Sequence, residues 1–426
     1  MLNNNQIDIL HQLKSREILY QITDMSNLHK LLSNNKINLY CGFDLTADSL
    51  HIGHLITIIT LKYFQKLGHN IIILLGGATS LIGDPSFKHK QRSIINMDII
   101  NKWYTNISIQ LQYFFQETNI TIVNNFDWFN SMNVLFFLKN IGQNFYVNQM
   151  INKDAIKNRF IKNKEHNHIS YTEFSYNLLQ AYDFAFLYKN NNVMLQIGGS
   201  DQWGNIVSGI ELIKKLYQYK VYGLTTHLIT KKNGVKFGKT ENQTIWLDKN
   251  KTTPYLFFQY WLNISDSIVF KLLKMFTKID SRIINEMKHK KTYYNKQKSA
   301  QYILAEYMTN LVHGKTELLI VQKITYLLFV KQFSRLIEND FYFLLKNNIN
   351  NIFLNQKKYS LQDILVCSHL APSKKQAKNM IQAHAIHIND QIITDINFIC
   401  NIQCSKFNHF SLLRKGKKNF VLIFWQ

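Results

Sequence analysis

From Ile37 onward, short β-branched runs alternate with longer stretches whose apolar residues recur at helical spacing. The run that starts at Ile37 leads through Leu39 and Tyr40 into Gly42. Ile71–Leu75 ends in Gly76-Gly77, Ile120–Val123 is a further run, and Val193–Ile197 ends in Gly198-Gly199-Ser200-Asp201. Leu55–Leu67 reads as a helix stopped by Gly68. Strands spaced by helices imply a parallel sheet covered on both faces. Ligands of such sheets bind beyond the carboxyl ends of the strands, where the Gly- and Asp-bearing turns gather. Residues 1–36 read as one or two polar-faced helices.

The rhythm changes after Lys239. Thr253-Pro254 is a helix start, with Thr as cap and Pro at the first helical position. Helical spacing continues to about residue 340, and Ala300, Ile303, Leu304, Tyr307, Met308, Leu311 and Val312 form one apolar stripe closed by Gly314. Lys346–Lys358 is Asn-rich and reads as a linker. Ser360–Gln426 reads as a small α/β unit. Ser360 and Ser373 open capping-box patterns, and Ala385–Ile388 and Gln391–Thr394 form a hairpin around Asn389-Asp390. The expected domains are therefore 1–245, 246–345 and 359–426, with 346–358 between the last two.

With 426 residues, 46% of them apolar, the chain is globular and buries a large core. Its net charge of +23 attracts polyanions. The abundance of Asn, Lys and Ile beside 3 Pro is the usage of an A/T-biased genome, so the charge permits nucleic-acid binding without establishing it. Four cysteines are too few for a disulfide scaffold. Cys400, Cys404 and His409 make at most part of a metal site, and the cysteines read as ordinary buried residues. No signal-peptide core and no membrane-length apolar run is present, so a reduced, cytoplasmic protein is expected.

The chemistry concentrates in two places. Tyr40–His54 spells Y-C-G-F-D-L-T-A-D-S-L-H-I-G-H, a strand, a polar turn and a helix start. Free N–H groups and the helix dipole make that junction an anion site. His51 and His54 project from one face of its first turn, and Gly53 leaves room for a flat base against the backbone. Lys236-Phe-Gly-Lys-Thr240 adds two cations around a glycine. Together they describe a phosphate-handling site. In the last unit, Lys374, Lys375 and Lys378 on one helix and Arg414 and Lys415 in the tail form basic clusters, suited to RNA contact or to solvated charge.

Six ordered segments carry a resemblance. Besides Tyr40–His54 and KFGKT at 236–240, they are GGATSLIGDPS at 76–86, NQMINKDAIKNR at 148–159, YTEFSYNLLQAYDF at 171–184 and LQIGGSDQWGN at 195–205. RKGKKNF at 414–420 agrees as well. The chain resembles bacterial-type tyrosyl-tRNA synthetases, class I aminoacyl-tRNA synthetases, along almost its whole length. The resemblance implies a Rossmann-like catalytic domain over 1–245, a helical anticodon-region domain over 246–345 and a small RNA-binding module over 359–426. It implies activation of L-tyrosine by ATP to tyrosyl-adenylate and pyrophosphate, then transfer to the terminal adenosine of tRNA(Tyr).

The same resemblance implies roles for residues. His51, His54 and Thr46 would bind phosphates as charge builds. Lys236, Lys239, Lys88 and Arg92 would hold the pyrophosphate. Gly42, Gly53 and Asp201 would border the nucleotide, with Lys239. Tyr40 and Asp183 would bond the substrate phenol, Tyr176, Gln180 and Asp84 its ammonium and Gln202 its carboxylate, with Asp44 in the same pocket. ATP is expected with Mg2+ as substrate, without a protein-bound metal or organic cofactor. A homodimer is expected, with no membrane association. The aromatic-rich segment Trp128–Tyr146 suits either its interface or a buried core helix. Leu45 stands where the family usually has proline.

Other readings fit less of the chain. In a tryptophan-specific sister enzyme an indole would leave Tyr40 and Asp183 without a phenol. A hydrolase using His51, His54 and Asp44 needs a further metal ligand at compatible geometry. A non-catalytic RNA-binding protein has no need of the intact histidines and lysines.

Overall fold

The computed structural model describes residues 8–84, 96–116, 120–152, 170–228, 244–289, 299–330, 332–347, 350–355, 357–416 and 419–426. They fall into two compact units, one of residues 1–252 with 264–304 and one of residues 253–263 with 305–426. The boundaries differ from the expected three domains. The helices Asp266–Phe276 and Ser281–His289 belong with the first unit. One reason is Arg16, buried at 8% exposure, which donates to the Thr277 carbonyl at 2.6 Å and the Lys274 carbonyl at 3.2 Å. A guanidinium at a helix C-terminus satisfies carbonyls that the helix itself leaves open.

The first unit is built on a six-stranded sheet. Its strands are β1 (Leu19–Ile22), β2 (Asn38–Asp44), β3 (Asn70–Gly76), β4 (Thr121–Asn124), β5 (Val193–Gly199) and β6 (Tyr222–Thr226). The order is β1-β6-β5-β2-β3-β4, antiparallel at β1–β6 and parallel elsewhere. The runs that read as strands are β2 to β5, and their central members are buried almost throughout, as strands covered on both faces must be. Residues 1–36 hold two helices, α1 (Ile9–Ser15) and α2 (Met25–Asn34), but also β1, which the apolar pattern does not announce. Four residues cannot establish an alternation, and the pairing partner of Leu19 is the distant Thr226.

The helices of this unit that matter to the site are α3 (Leu55–Lys66), α4 (Gly77–Ile82), α5 (Met97–Phe114), α6 (Tyr171–Asn191) and α7 (Trp203–Tyr217). α6 is held at its start by a capping box, Ser170 Oγ accepting from Glu173 N at 3.2 Å and Glu173 Oε2 from Ser170 N at 3.4 Å. It ends at Asn192 in the left-handed conformation. α7 packs closely on α6 because Gly209 faces Phe184, where a Cβ would lie 2.9 Å from the ring.

The stripe from Ala300 belongs to a helix that begins in the first unit and continues in the second, interrupted at Gly314, with φ 83°, before helical structure resumes to Val330. The C-terminal sheet contains β7 (Asn351–Leu354), β9 (Ile386–Ile388), β10 (Gln391–Ile392), β12 (Phe410–Lys415) and β13 (Asn419–Trp425), with β8 (Tyr359–Ser360) and β11 (Ile399–Cys400) forming a separate pair. The hairpin around Asn389-Asp390 is present as β9 and β10. The stretch read as a linker is not one, because β7 lies inside it and pairs in parallel with β13 from Leu422↔Asn351 to Trp425↔Leu354. Ser373 caps its helix, α8 (Lys374–Gln382), accepting from Gln376 N at 3.3 Å. Ser360 stands at an N-cap without a side-chain bond. Among the described residues no helix is long and apolar enough to cross a membrane.

Candidate active site

The carboxyl ends of β2, β3 and β5 open onto a cavity of about 290 Å³. Tyr40, Gly42, Asp44, Thr46, His51, Gly53 and His54 line it from β2 and the turn that follows. Asp84 closes one side, Tyr176, Gln180 and Asp183 enter from α6, and Asp201 and Gln202 come from the turn after β5. Every expected substrate or phosphate residue that is described in this unit therefore meets in one hollow. Lys88, Arg92, Lys236 and Lys239 lie outside the described residues.

Gly42 lines the cavity without being required by packing. A Cβ there would make an ordinary 3.7 Å contact with Leu74, so the protein interior does not demand glycine. Leu45 replaces the rigidity of a proline in another way. Its side chain is fully buried, and its N–H donates to Ser80 Oγ at 2.6 Å, a bond proline cannot make.

At the closed end, Asp183 is 2% exposed and accepts from Trp128 Nε1 at 2.9 Å and Asn125 Nδ2 at 3.1 Å. Burial pushes its carboxyl up to about 8, against the lowering effect of those two donors and with a further rise from Asp44. Tyr40 is 1% exposed, and its hydroxyl has no partner among the described residues. Burial, then the charge of Asp183, raises that phenol well above its ordinary value, so it is neutral. A neutral hydroxyl and a buried carboxyl thus border the same cavity.

Nearer the mouth, Tyr176 Oη donates to Asp44 Oδ2 and Thr79 Oγ1 to Asp44 Oδ1, both at 2.9 Å. An amide network fixes the rest: Asn177 donates to Asn205 at 2.6 Å, and Asn205 donates to Gln180 Oε1 at 2.9 Å and Gln202 Oε1 at 3.3 Å. Gln202 in turn donates to Asp84 at 2.8 Å. One of its amide protons is thus committed to Asp84.

His51 and His54 stack with centroids 4.0 Å apart. His51 Nδ1 accepts from Gly53 N and His54 Nδ1 from His51 N, each at 3.1 Å. A ring nitrogen that accepts carries no proton, so each neutral imidazole holds its hydrogen on Nε2 as a donor. The turn Ile52–His54 then runs directly into α3.

Asn125, Trp128, Thr79, Asn177 and Asn205 hold site residues in place yet carry no periodic signal of their own. Trp128 was visible only as part of the aromatic-rich segment. That segment is neither one helix nor uniformly buried, since Trp128 reaches Asp183 while Val134 and Leu135 are 65% and 71% exposed. In the second unit, Lys374, Lys375 and Lys378 are exposed on α8. Arg414 does not belong with them. It is 4% exposed, donates to the Gly416 carbonyl at 2.5 Å and lies 5.8 Å over the Phe333 ring. Lys415 is half-buried and donates to the Leu370 carbonyl at 2.9 Å. The whole run Phe410–Arg414 of β12 is buried, so the guanidinium lies inside the unit with its neighbours.

A parallel sheet with this cavity at its carboxyl edge, lined by the H-I-G-H turn, is that of a class I aminoacyl-tRNA synthetase. Residues 5–330 match the family model described as tRNA synthetases class I (W and Y), and residues 343–423 match that of the tyrosine–tRNA ligase SYY-like C-terminal domain. The chain is 49% identical to the tyrosine–tRNA ligase of Blochmanniella pennsylvanica across 100% of both chains. It is 48% identical to that of Buchnera aphidicola subsp. Baizongia pistaciae across 98% of each. The crystal structure of a C-terminally truncated mitochondrial tyrosyl-tRNA synthetase from Aspergillus nidulans superposes with a TM-score of 0.68 at 28% identity, covering 76% of this chain and 95% of that one. The chain belongs to the tyrosine–tRNA ligase family of class I synthetases. Its activity is the ATP-dependent joining of tyrosine to tRNA.

Proposed function

We propose that the cavity binds L-tyrosine with its phenol against Tyr40 and Asp183 and its ammonium among Tyr176, Gln180 and Asp84, Asp44 fixing Tyr176. Gln202 turns its remaining amide proton to the carboxylate. ATP enters as its Mg2+ complex, its ribose at Asp201, its base along Gly53 and its α-phosphate towards the tyrosine carboxylate. Attack of that carboxylate on the α-phosphorus breaks the bond to pyrophosphate and leaves tyrosyl-adenylate. His51 and His54 donate Nε2–H to the phosphates, with Thr46 beside them, and Lys236, Lys239, Lys88 and Arg92 hold the departing pyrophosphate. Little covalent chemistry is asked of the protein; alignment and placed donors carry the step. A terminal ribose hydroxyl of tRNA(Tyr) then takes the tyrosyl group, releasing AMP.

The observation that carries this reading is the Tyr40/Asp183 pair, buried beside an open cavity. Phenylalanine would leave a buried carboxyl without its partner, at about 1–3 kcal/mol or more if charged. Tyrosine-dependent exchange of labelled pyrophosphate into ATP, without tRNA, is the test. Asp183→Ala is expected to raise KM for tyrosine and to erode rejection of phenylalanine; unchanged selectivity would show that Asp183 does not read the phenol.

A second copy of the chain covers the apolar face of residues 134–151, giving a homodimer. The lysines of α8 and Lys415 contact tRNA, and the enzyme works in the cytoplasm, where its free cysteines stay reduced.

A further inference from the structure

Beyond the signature histidines, a row of four rings crosses the phosphate end of the site. Trp246 lies 6.2 Å from His51, His51 stacks on His54 at 4.0 Å, and His54 meets Phe43 edge-on at 5.9 Å. Trp246 follows the KFGKT motif by only a few residues, and its backbone is tied to the H-I-G-H turn. His51 and Trp246 form an antiparallel bridge, with Ile52 N donating to the Ile245 carbonyl at 3.1 Å and Leu247 N to the Leu50 carbonyl at 2.8 Å. The indole is also held from its own segment. Lys251 Nζ sits 5.1 Å over its ring while pairing with Asp48 at 2.5 Å, and Trp246 N donates to the buried Thr252 hydroxyl at 2.9 Å. Below, Ser49 Oγ accepts from Asp248 N at 3.3 Å and from Gln110 Nε2 of α5 at 3.1 Å.

We infer that Trp246 is a positioning residue for the imidazoles of His51 and His54. The inference rests on their reading as phosphate donors. The backbone bonds to Nδ1 decide which nitrogen of each ring donates and restrain the turn of each ring, and the neighbours that pack against the rings hold its position and tilt. Trp246 is the neighbour of His51 on the side of the 244–252 segment, and it shares with Thr46, His51 and His54 a hollow of about 120 Å³. Because His51 stacks on His54, a shift of one ring moves both. A donor displaced by about 1 Å can cost on the order of 100-fold in rate while ground-state binding of a remote group is untouched.

The test compares full-length Trp246→Ala, Trp246→Phe and His51→Asn in tyrosine-dependent pyrophosphate exchange. Trp246→Ala is expected to lower kcat by about 10- to 100-fold with KM for tyrosine within about twofold of the parent, and Trp246→Phe to recover most of the loss. Combined with His51→Asn, Trp246→Ala should add little further loss, because both act through one ring. An unchanged kcat in Trp246→Ala, full additivity in the double variant, or a rise in KM for tyrosine alone would overturn the inference. Should His51→Asn leave exchange intact, the phosphate reading itself falls and the inference with it. Tyrosine binding by equilibrium dialysis establishes that each variant is folded; if Trp246→Ala is not, Lys251→Ala, which removes the cation over the indole, is expected to give a smaller kcat loss of the same kind, and no loss there overturns the inference.

Discussion

Asp183 shows how the burial of one carboxyl ties stability to pH. An aspartate in an unfolded chain titrates near about 3.9, whereas this one is pushed up to about 8 by burial. Between those values the folded chain keeps a proton that the unfolded chain has lost. Stability therefore falls as pH rises through that window, and what the protonated form contributes is gone above about pH 8. Each unit of displacement corresponds to about 1.4 kcal/mol. Asp183→Asn cannot titrate, so its unfolding free energy, measured by urea titration at several pH values, is expected to vary less between pH 5 and pH 8.5 than that of the parent. Parallel pH profiles would mean that Asp183 is already ionised in the folded chain. The variant carries a separate, pH-independent loss, since one of the donors Asn125 and Trp128 would face an amide NH₂ instead of an oxygen. Its tyrosine discrimination should fall at every pH.

At the scale of elements, what was legible depended on length and on whether the function lay in a regular repeat. β2, β3, β5 and α6 are long enough to display their period, so those strand ends could be read directly, whereas Tyr176, Gln180 and Asp183, which share one face of α6, were marked as pocket residues only by the family resemblance. β1 and β7 could not. Each has four residues, lies at a sheet edge and finds its partner far along the chain, so local composition holds no record of the pairing. The segment from Asn125 to Ile151 is harder still, because it serves two purposes within short irregular turns. Its start supports Asp183, and its later part exposes Val134, Leu135, Phe136, Tyr146 and Val147. Contiguous apolar exposure of this kind marks an interaction surface. If a second copy covers it, Leu135→Glu should halve the mass seen by sedimentation velocity at micromolar protein. A mass that stays at the dimer value would place the contact elsewhere.

For the whole molecule, the question is whether the net charge of +23 acts diffusely or through a built surface. Diffuse charge would attract tRNA without favouring any residue, and single substitutions would matter little. α8 offers a more definite arrangement, with Lys374, Lys375 and Lys378 exposed on a capped helix. These three are not equivalent. Lys374 pairs with Asp363 at 2.5 Å, while Lys375 and Lys378 have no acidic partner among the described residues. Each lysine that neutralises a phosphate contributes about 0.7–0.9 to the slope of log K against log salt, so losing two should lower it by about 1.5. Replacing Lys375 and Lys378 by Ala is therefore expected to raise KM for tRNA and flatten its salt dependence by that amount, while tyrosine-dependent pyrophosphate exchange stays at the parental rate. Lys374→Ala alone should do less, because its charge is partly answered by Asp363. Arg414→Ala should behave differently from all of them, lowering stability instead of the salt slope, since its guanidinium is buried against Phe333. An unchanged slope in the Lys375/Lys378 variant would assign the electrostatic attraction to the charge of the whole chain and not to this helix.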